Sequence, residues 1–153
     1  MSLFMLYCYI TISKPMQQLY FQNSFVRLYY DLELRMGHAI WNGSLLGAEF
    51  REASLLCLEM IDRFELTCWL GDNRRMKPIL PDDLEWSVRV FVPKLLAGPM
   101  LRLANLPSQY EATREAINTM VEKCNGLDQQ LEIREFQQEE EALAWLLSAH
   151  SQG

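Results

Sequence analysis

The 153-residue chain is poor in the residue types that build reactive or metal-binding centres: it has 2 histidines and 4 cysteines. The cysteines, Cys8, Cys57, Cys68 and Cys124, are scattered and form no CxxC pair. Zinc ligands need short spacings that bring them together, so no metal site is expected. No disulfide framework is expected either, because the chain is long enough to bury a core without staples. The thiols read as small buried hydrophobes in a reducing compartment, which implies a cytoplasmic protein. Basic residues are outnumbered, 14 Lys and Arg against 20 Asp and Glu, for a net charge of −6. That excess argues against a nucleic-acid partner, whose phosphates require a basic face. No apolar run is long enough to span a bilayer, so no integral membrane segment is expected. The nearest approach, "MSLFMLYCYI" at 1–10, also lacks the basic start and small-residue cleavage site of a signal peptide. GxSxG, HExxH, Walker and GxGxxG motifs are missing too, which removes the usual sequence marks of a catalytic or cofactor site.

What is present is an ordinary globular composition, 50% hydrophobic and 22% charged, which separates this chain from disordered ones. Residues 1–15 are expected to form an N-terminal extension, as a strand or a tail, with Met16 as an alternative start. Residues 16–150 are expected to form a single domain. "SFVRLYYD" (24–31) alternates apolar and polar positions and predicts a strand. "MGHAIWNG" (36–43) predicts a second, and the short link between them implies an antiparallel hairpin. Phe50, Ala53, Cys57, Met60 and Phe64 recur at helical spacing, with Leu55, Leu56 and Leu58 widening the apolar side. A second element covers that side, or a partner does.

"ELTCWLGD" (65–72) predicts a short central strand, followed by a surface loop and a helix opened by Pro81 with Asp82, Asp83 and Glu85. Pro93 is expected to kink or interrupt that helix. "MLRLANLP" predicts the next strand. Ser108 and Glu111 suggest a capping box, and Asn125-Gly126 a helix end near Cys124. "QLEIREF" and "QQEEEALAWLLSAH" predict a last strand and helix, the latter with Ala142 and Leu146 facing inward. Strands alternating with helices argue for an α/β sandwich, in which an N-terminal antiparallel hairpin leads into a mostly parallel five-stranded sheet with about four helices.

The stretch "WLGDNRRMKPILPDDLEW" (69–86) carries the candidate site. A loop at the carboxyl end of a parallel strand is where open α/β sheets bind ligands. Arg74, Arg75 and Lys77 there would meet an anion or an acidic partner surface. Asp72 and Asn73 fit either such a site or a turn that caps the next segment. Trp86 is placed to line a groove between the second helix and the sheet, whereas Trp41 and Trp69 read as core. His38 and His150 have no identifiable acid or nucleophile beside them and read as surface residues. Glu139-Glu140-Glu141 reads as a favourable helix start.

The segments "LYFQNSFVRLYYD", "AIWNG", "EFREA", "WLGDNRRMKPILPDDLEW" and "FQQEEEALAWL", taken in order, resemble the STAS domain family. The resemblance is closest to the SpoIIAA-like, or STAS/SEC14-like, stand-alone bacterial proteins. It covers roughly residues 17–147. It implies a STAS/SpoIIAA-like sandwich and a non-enzymatic regulatory or protein-interaction module, related to signalling. The family's switch serine follows an aspartate after the third strand. The matching place here is Asp72 followed by Asn73, so that phosphosite is not carried over. The expected partner is another protein or a second copy, contacted through Asp72, Asn73, Arg74, Arg75, Lys77 and Trp86. The alternative is a binding protein for a small apolar or lipid-like ligand, sheltered between the second helix and the sheet. Neither reading requires a catalytic residue, a cofactor or a metal.

Overall fold

The computed structural model describes residues 17–127 and 130–148. The extension at 1–15, Cys8 and His150 lie outside the described residues. The elements in order are β1 (Gln18–Gln22), β2 (Val26–Asp31), β3 (Met36–Gly43), α1 (Ala48–Phe64), β4 (Cys68–Met76), α2 (Pro81–Trp86), a π-helical turn (Ser87–Phe91), α3 (Val92–Leu96), β5 (Arg102–Leu106), α4 (Glu111–Leu127), β6 (Glu132–Glu135) and α5 (Glu139–Leu147).

All six strands form one sheet in the order β1-β2-β3-β4-β5-β6. The β1–β2 and β2–β3 pairs are antiparallel, and β3 to β6 run parallel. The predicted α/β layout, hairpin first and parallel strands after, is thus present with six strands rather than five. The additional strand is β1. The carboxamide oxygen of Asn23 accepts the N–H groups of Phe25 and Val26 at 2.8 and 2.9 Å. That turn separates two strands where the sequence suggested one beginning at residue 24.

Strand order decides where the helices go. Right-handed crossovers between parallel strands whose order never reverses lay every crossover helix on the same side. One face of the sheet, here the front, is accordingly covered by α1, the α2–α3 segment and α4. Its core holds Val26, Leu28, Phe50, Met60, Trp69 and Leu95, among others. Helix α5 follows β6 and returns over the back face, where Ala142 and Leu146 pack on Leu70, Ala104 and Leu106. Burying each large side chain of this kind stabilises the fold by about 1.5–3 kcal/mol.

Local chemistry follows the sequence in most places. Helix α1 buries Phe50, Ala53, Cys57 and Met60, as their spacing predicted. Leu58 joins the core, Leu56 is half-buried, and Leu55 stays exposed. Pro93 has no N–H to give, and just before it the helix widens so that Val92 N–H reaches the Ser87 carbonyl. The acids after Pro81 serve a neighbour as well as their own helix. Asp83 is buried and accepts the Gly47 N–H at 2.8 Å, which caps α1 from across the fold, and Arg51 Nε lies 3.3 Å away.

Four expectations are corrected. Residues 73–75 are strand rather than loop: β4 continues to Met76, which pairs with Gly43 of β3. The Ser108–Glu111 capping box gives way to a different contact. The Ser108 hydroxyl accepts the Tyr110 N–H and donates to the Met76 carbonyl at 2.7 Å, so this turn is tied to the end of β4. Helix α4 runs through Asn125-Gly126 to Leu127, accepting a cost of about 1 kcal/mol for an interior glycine. His38 is buried rather than on the surface, because β3 lies inside the sheet and α5 brings Glu139 Oε1 to 4.0 Å from its Nε2.

Candidate functional site: a cleft at the carboxyl end of β4 and β5

The register of β4 changes within its last residues. Ile40 pairs with Asp72 but Asn42 pairs with Arg75, so two residues of β3 span three of β4. Such an extra residue bends the strand and re-aims the side chains around it. Asp72 and Arg74 turn to the back, where they bond to each other. Asn73 turns to the front and under the helices.

On the back face the Arg74 guanidinium grips Asp72 through two contacts, Nε to Oδ1 at 2.9 Å and Nη2 to Oδ2 at 2.7 Å. Burial opposes the Asp72 charge, but these bonds, the Arg74 amide and the nearby positive charge outweigh it and hold the carboxyl below its usual range. Hydrogen bonding to Asp72 in turn keeps Arg74 charged more firmly. The pair is satisfied internally. Arg75 and Lys77 point outward and are exposed, with no ion-pair partner among the described residues.

On the front face Asn73, 5% exposed, and the half-buried Asn105 lie beside Gly71. Gly71 pairs with Asn105 across the β4–β5 ladder. A Cβ on Gly71 would sit 2.8 Å from Asn105 Oδ1 and 3.8 Å from Asn73 Oδ1. The two carboxamide oxygens therefore converge over a floor that only glycine leaves open. Neither carboxamide makes a side-chain hydrogen bond to another described residue. They face a cavity of about 110 Å³ with walls from Phe91, Ile117 and Val121. An adjoining cavity of about 200 Å³ shares Asn73, Asn105, Ile117 and Val121 and reaches Arg114. Beyond it an open groove is lined by Arg74, Arg75, Arg114 and Glu135.

Reactive chemistry finds little to work with in this cleft. The Ser54 hydroxyl, on the cavity wall, donates to the Phe50 carbonyl at 2.9 Å. Burial pushes the Cys57 thiol up to about 12, so its sulfur stays protonated and is a poor nucleophile. Among the described residues no group of three or more His, Cys, Asp or Glu is placed to hold a metal.

The structure thus brings Asp72, Asn73, Arg74 and Arg75 to the same end of the sheet and leaves Lys77 and Trp86 off the cleft walls. Trp86 is in the front core, edge-on to Phe50, with the Arg51 guanidinium 5.7 Å from its ring centre. It does not line the cleft, although Phe91 and Leu95 of the same helical segment do. Lys77 lies past the end of β4, away from the cavity walls. The sequence reading missed Gly71, Asn105 and Arg114. Asn105 had left a signal in "RLANLP": a carboxamide at an inward position of an otherwise apolar strand.

Comparison with protein-family models, curated proteins and solved structures finds no match for this chain. The STAS resemblance rests on the sequence segments that carry it, and the function is argued from the cleft itself. Among the described residues no helix is long and apolar enough to cross a membrane.

Proposed function

We propose that this chain is a non-enzymatic binding module that shelters a small, largely apolar molecule in the cleft between the β4–β5 ends and α4. One observation carries the proposal: Asn73 and Asn105 converge, without side-chain partners, on an apolar cavity. Each carboxamide brings two donor hydrogens and an acceptor oxygen. Their polar atoms are open to the cleft rather than sealed off, so in the empty protein they are left to solvent. A molecule with a polar edge restores those bonds, and the apolar walls hold its body. Apolar lining with a few convergent polar groups is the usual character of a small-molecule site. Free buried thiols at Cys57 and Cys68 support a reducing, cytoplasmic setting.

The test is a fluorescence titration with N-phenyl-1-naphthylamine, a neutral apolar probe. Saturable enhancement by the wild type, lost in a Val121→Trp variant of unchanged melting temperature, is the expected result. Equal enhancement by both proteins would refute the assignment of the cleft.

A regulatory module that docks on another protein or a second copy, as the STAS resemblance implies, is the second reading. The exposed basic pair Arg75 and Lys77, at the cleft end of a chain with net charge −6, favours it. Pull-down with wild type and with Arg75→Glu/Lys77→Glu tests this, and an unchanged set of partners would remove the contact region.

A further inference from the structure

The outer groove of the cleft has charge that the apolar cavity under α4 lacks, and this extends the ligand-site reading above, on which the inference rests. Arg114 lines both the inner cavity that contains the carboxamides and the outer groove. Its Nη1 donates to the Ser108 carbonyl at 2.9 Å. Ser108 is itself anchored by its hydroxyl to the Met76 carbonyl, and so is Thr113, at 2.7 and 3.1 Å. The guanidinium is therefore held in place through one N–H and keeps others free. No carboxylate lies within ion-pair distance of Arg114 or Arg75 among the described residues. Of the other arginines, Arg74 is matched by Asp72, Arg51 by Asp83 and Arg134 by Glu132, while Arg27 and Arg63, which line neither the inner cavity nor the outer groove, have no carboxylate partner among the described residues. Among the described residues Glu135 is the one carboxylate lining the groove, and it is exposed. Two uncompensated guanidiniums thus stand against one solvated acid, at the open end of an apolar cavity.

We infer that the molecule held in this cleft is an amphiphilic organic anion. Its apolar body lies under α4, its middle meets Asn73 and Asn105, and its carboxylate or phosphate sits between Arg75 and Arg114. A planar guanidinium matches either oxyanion through paired N–H bonds. The order apolar, amide, cation along the cleft selects against a neutral apolar molecule of the same shape, because that molecule leaves both charges unmatched.

The decisive experiment compares two probes with the same aromatic skeleton on the full chain. One is N-phenyl-1-naphthylamine, and the other is its 8-sulfonate. The sulfonated probe is expected to bind about ten-fold more tightly at low salt. In Arg114→Met and in Arg75→Gln the ratio of the two affinities should fall toward one. Arg75 makes no side-chain bond to a described residue, so its variant keeps the test open if Arg114→Met folds poorly. Equal affinity of the wild type for both probes, or a ratio unmoved by either variant, overturns the inference while leaving the ligand site standing. Failure of both probes to bind removes the site itself. Displacement of the sulfonated probe by decanoate and by decyl phosphate then distinguishes carboxylate from phosphate. Decanol displacing it as well as both anions would also overturn the inference.

Discussion

Replacing Asn73 with leucine should make the ligand-free protein more stable and a poorer binder. Asn73 is 5% exposed, on a wall that includes Phe91, Ile117 and Val121, and its carboxamide has no side-chain hydrogen bond to a described residue. Its polar atoms reach the open space of the cleft rather than being sealed off, so their cost against folding is at the low end, about 1 kcal/mol. Leucine has a similar branched shape without the polar atoms, and the adjoining space of about 110 Å³ leaves room for its extra methyl volume. The backbone accepts the change, since Arg35 and Glu65 are the described non-glycine residues with positive φ and Asn73 is not among them. For a chain of this size each kcal/mol moves the melting temperature by about 2–4 °C, so a rise of about 2–4 °C is expected. Calorimetry and guanidinium denaturation should be run on protein refolded from denaturant, so that no bound molecule is carried over. Probe affinity should fall about two- to ten-fold, the worth of one hydrogen bond. A variant destabilised by more than about 1 kcal/mol would mean that the carboxamide is already satisfied in the fold. The argument for a ligand would then lose its basis.

Three other outcomes follow from the same geometry. Gly71→Ala places a methyl 2.8 Å from Asn105 Oδ1, which must move, so probe binding should weaken while circular dichroism keeps its native shape. Asp72→Asn should cost about 1 kcal/mol at neutral pH, allowing for the half-exposed Arg74 partner. Because folding depresses the Asp72 pKa, its stabilising contribution is present above the unfolded value of about 3.9 and is lost as pH falls through the folded value. The stability difference between wild type and Asp72→Asn should therefore shrink below about pH 4, and a difference that grows on acidification would contradict the assignment. Cys57 and Cys68 should resist a thiol-specific disulfide reagent at pH 8 in a Cys8→Ser background and react on unfolding, since burial raises both pKa values; rapid labelling of the native protein would show that they are accessible.

Much of this fold can be read in the sequence where one physical signal acts alone. The three- and four-residue recurrence from Phe50 to Met60 marked α1, and the alternation in "VRLYY" marked β2. Pro93 announced a break because a missing amide cannot be replaced from elsewhere in the chain. The signal failed where tertiary pairing overrode composition. "DNRR" reads as a loop by its polarity, yet β3 pairs with it, so those polar residues became strand. His38 was misplaced for the same reason: a strand's position within the sheet is set by its neighbours. The candidate region was found at the correct end of β4, but its inner half was not, since Asn105 and Arg114 join Asn73 only when β5 and α4 pack around it. Trp86 went the other way, into the core, because Phe50 and Arg51 of α1 cover it.

The unbroken strand order has a consequence for how the molecule is made. Each strand lies beside the one synthesised just before it, so the sheet can grow outward as the chain leaves the ribosome, and no early strand waits with an open edge for a distant partner. Helix α5, made after β6, closes over hydrophobic residues laid down earlier on β4 and β5, and that step covers the back of the sheet against association with other nascent chains.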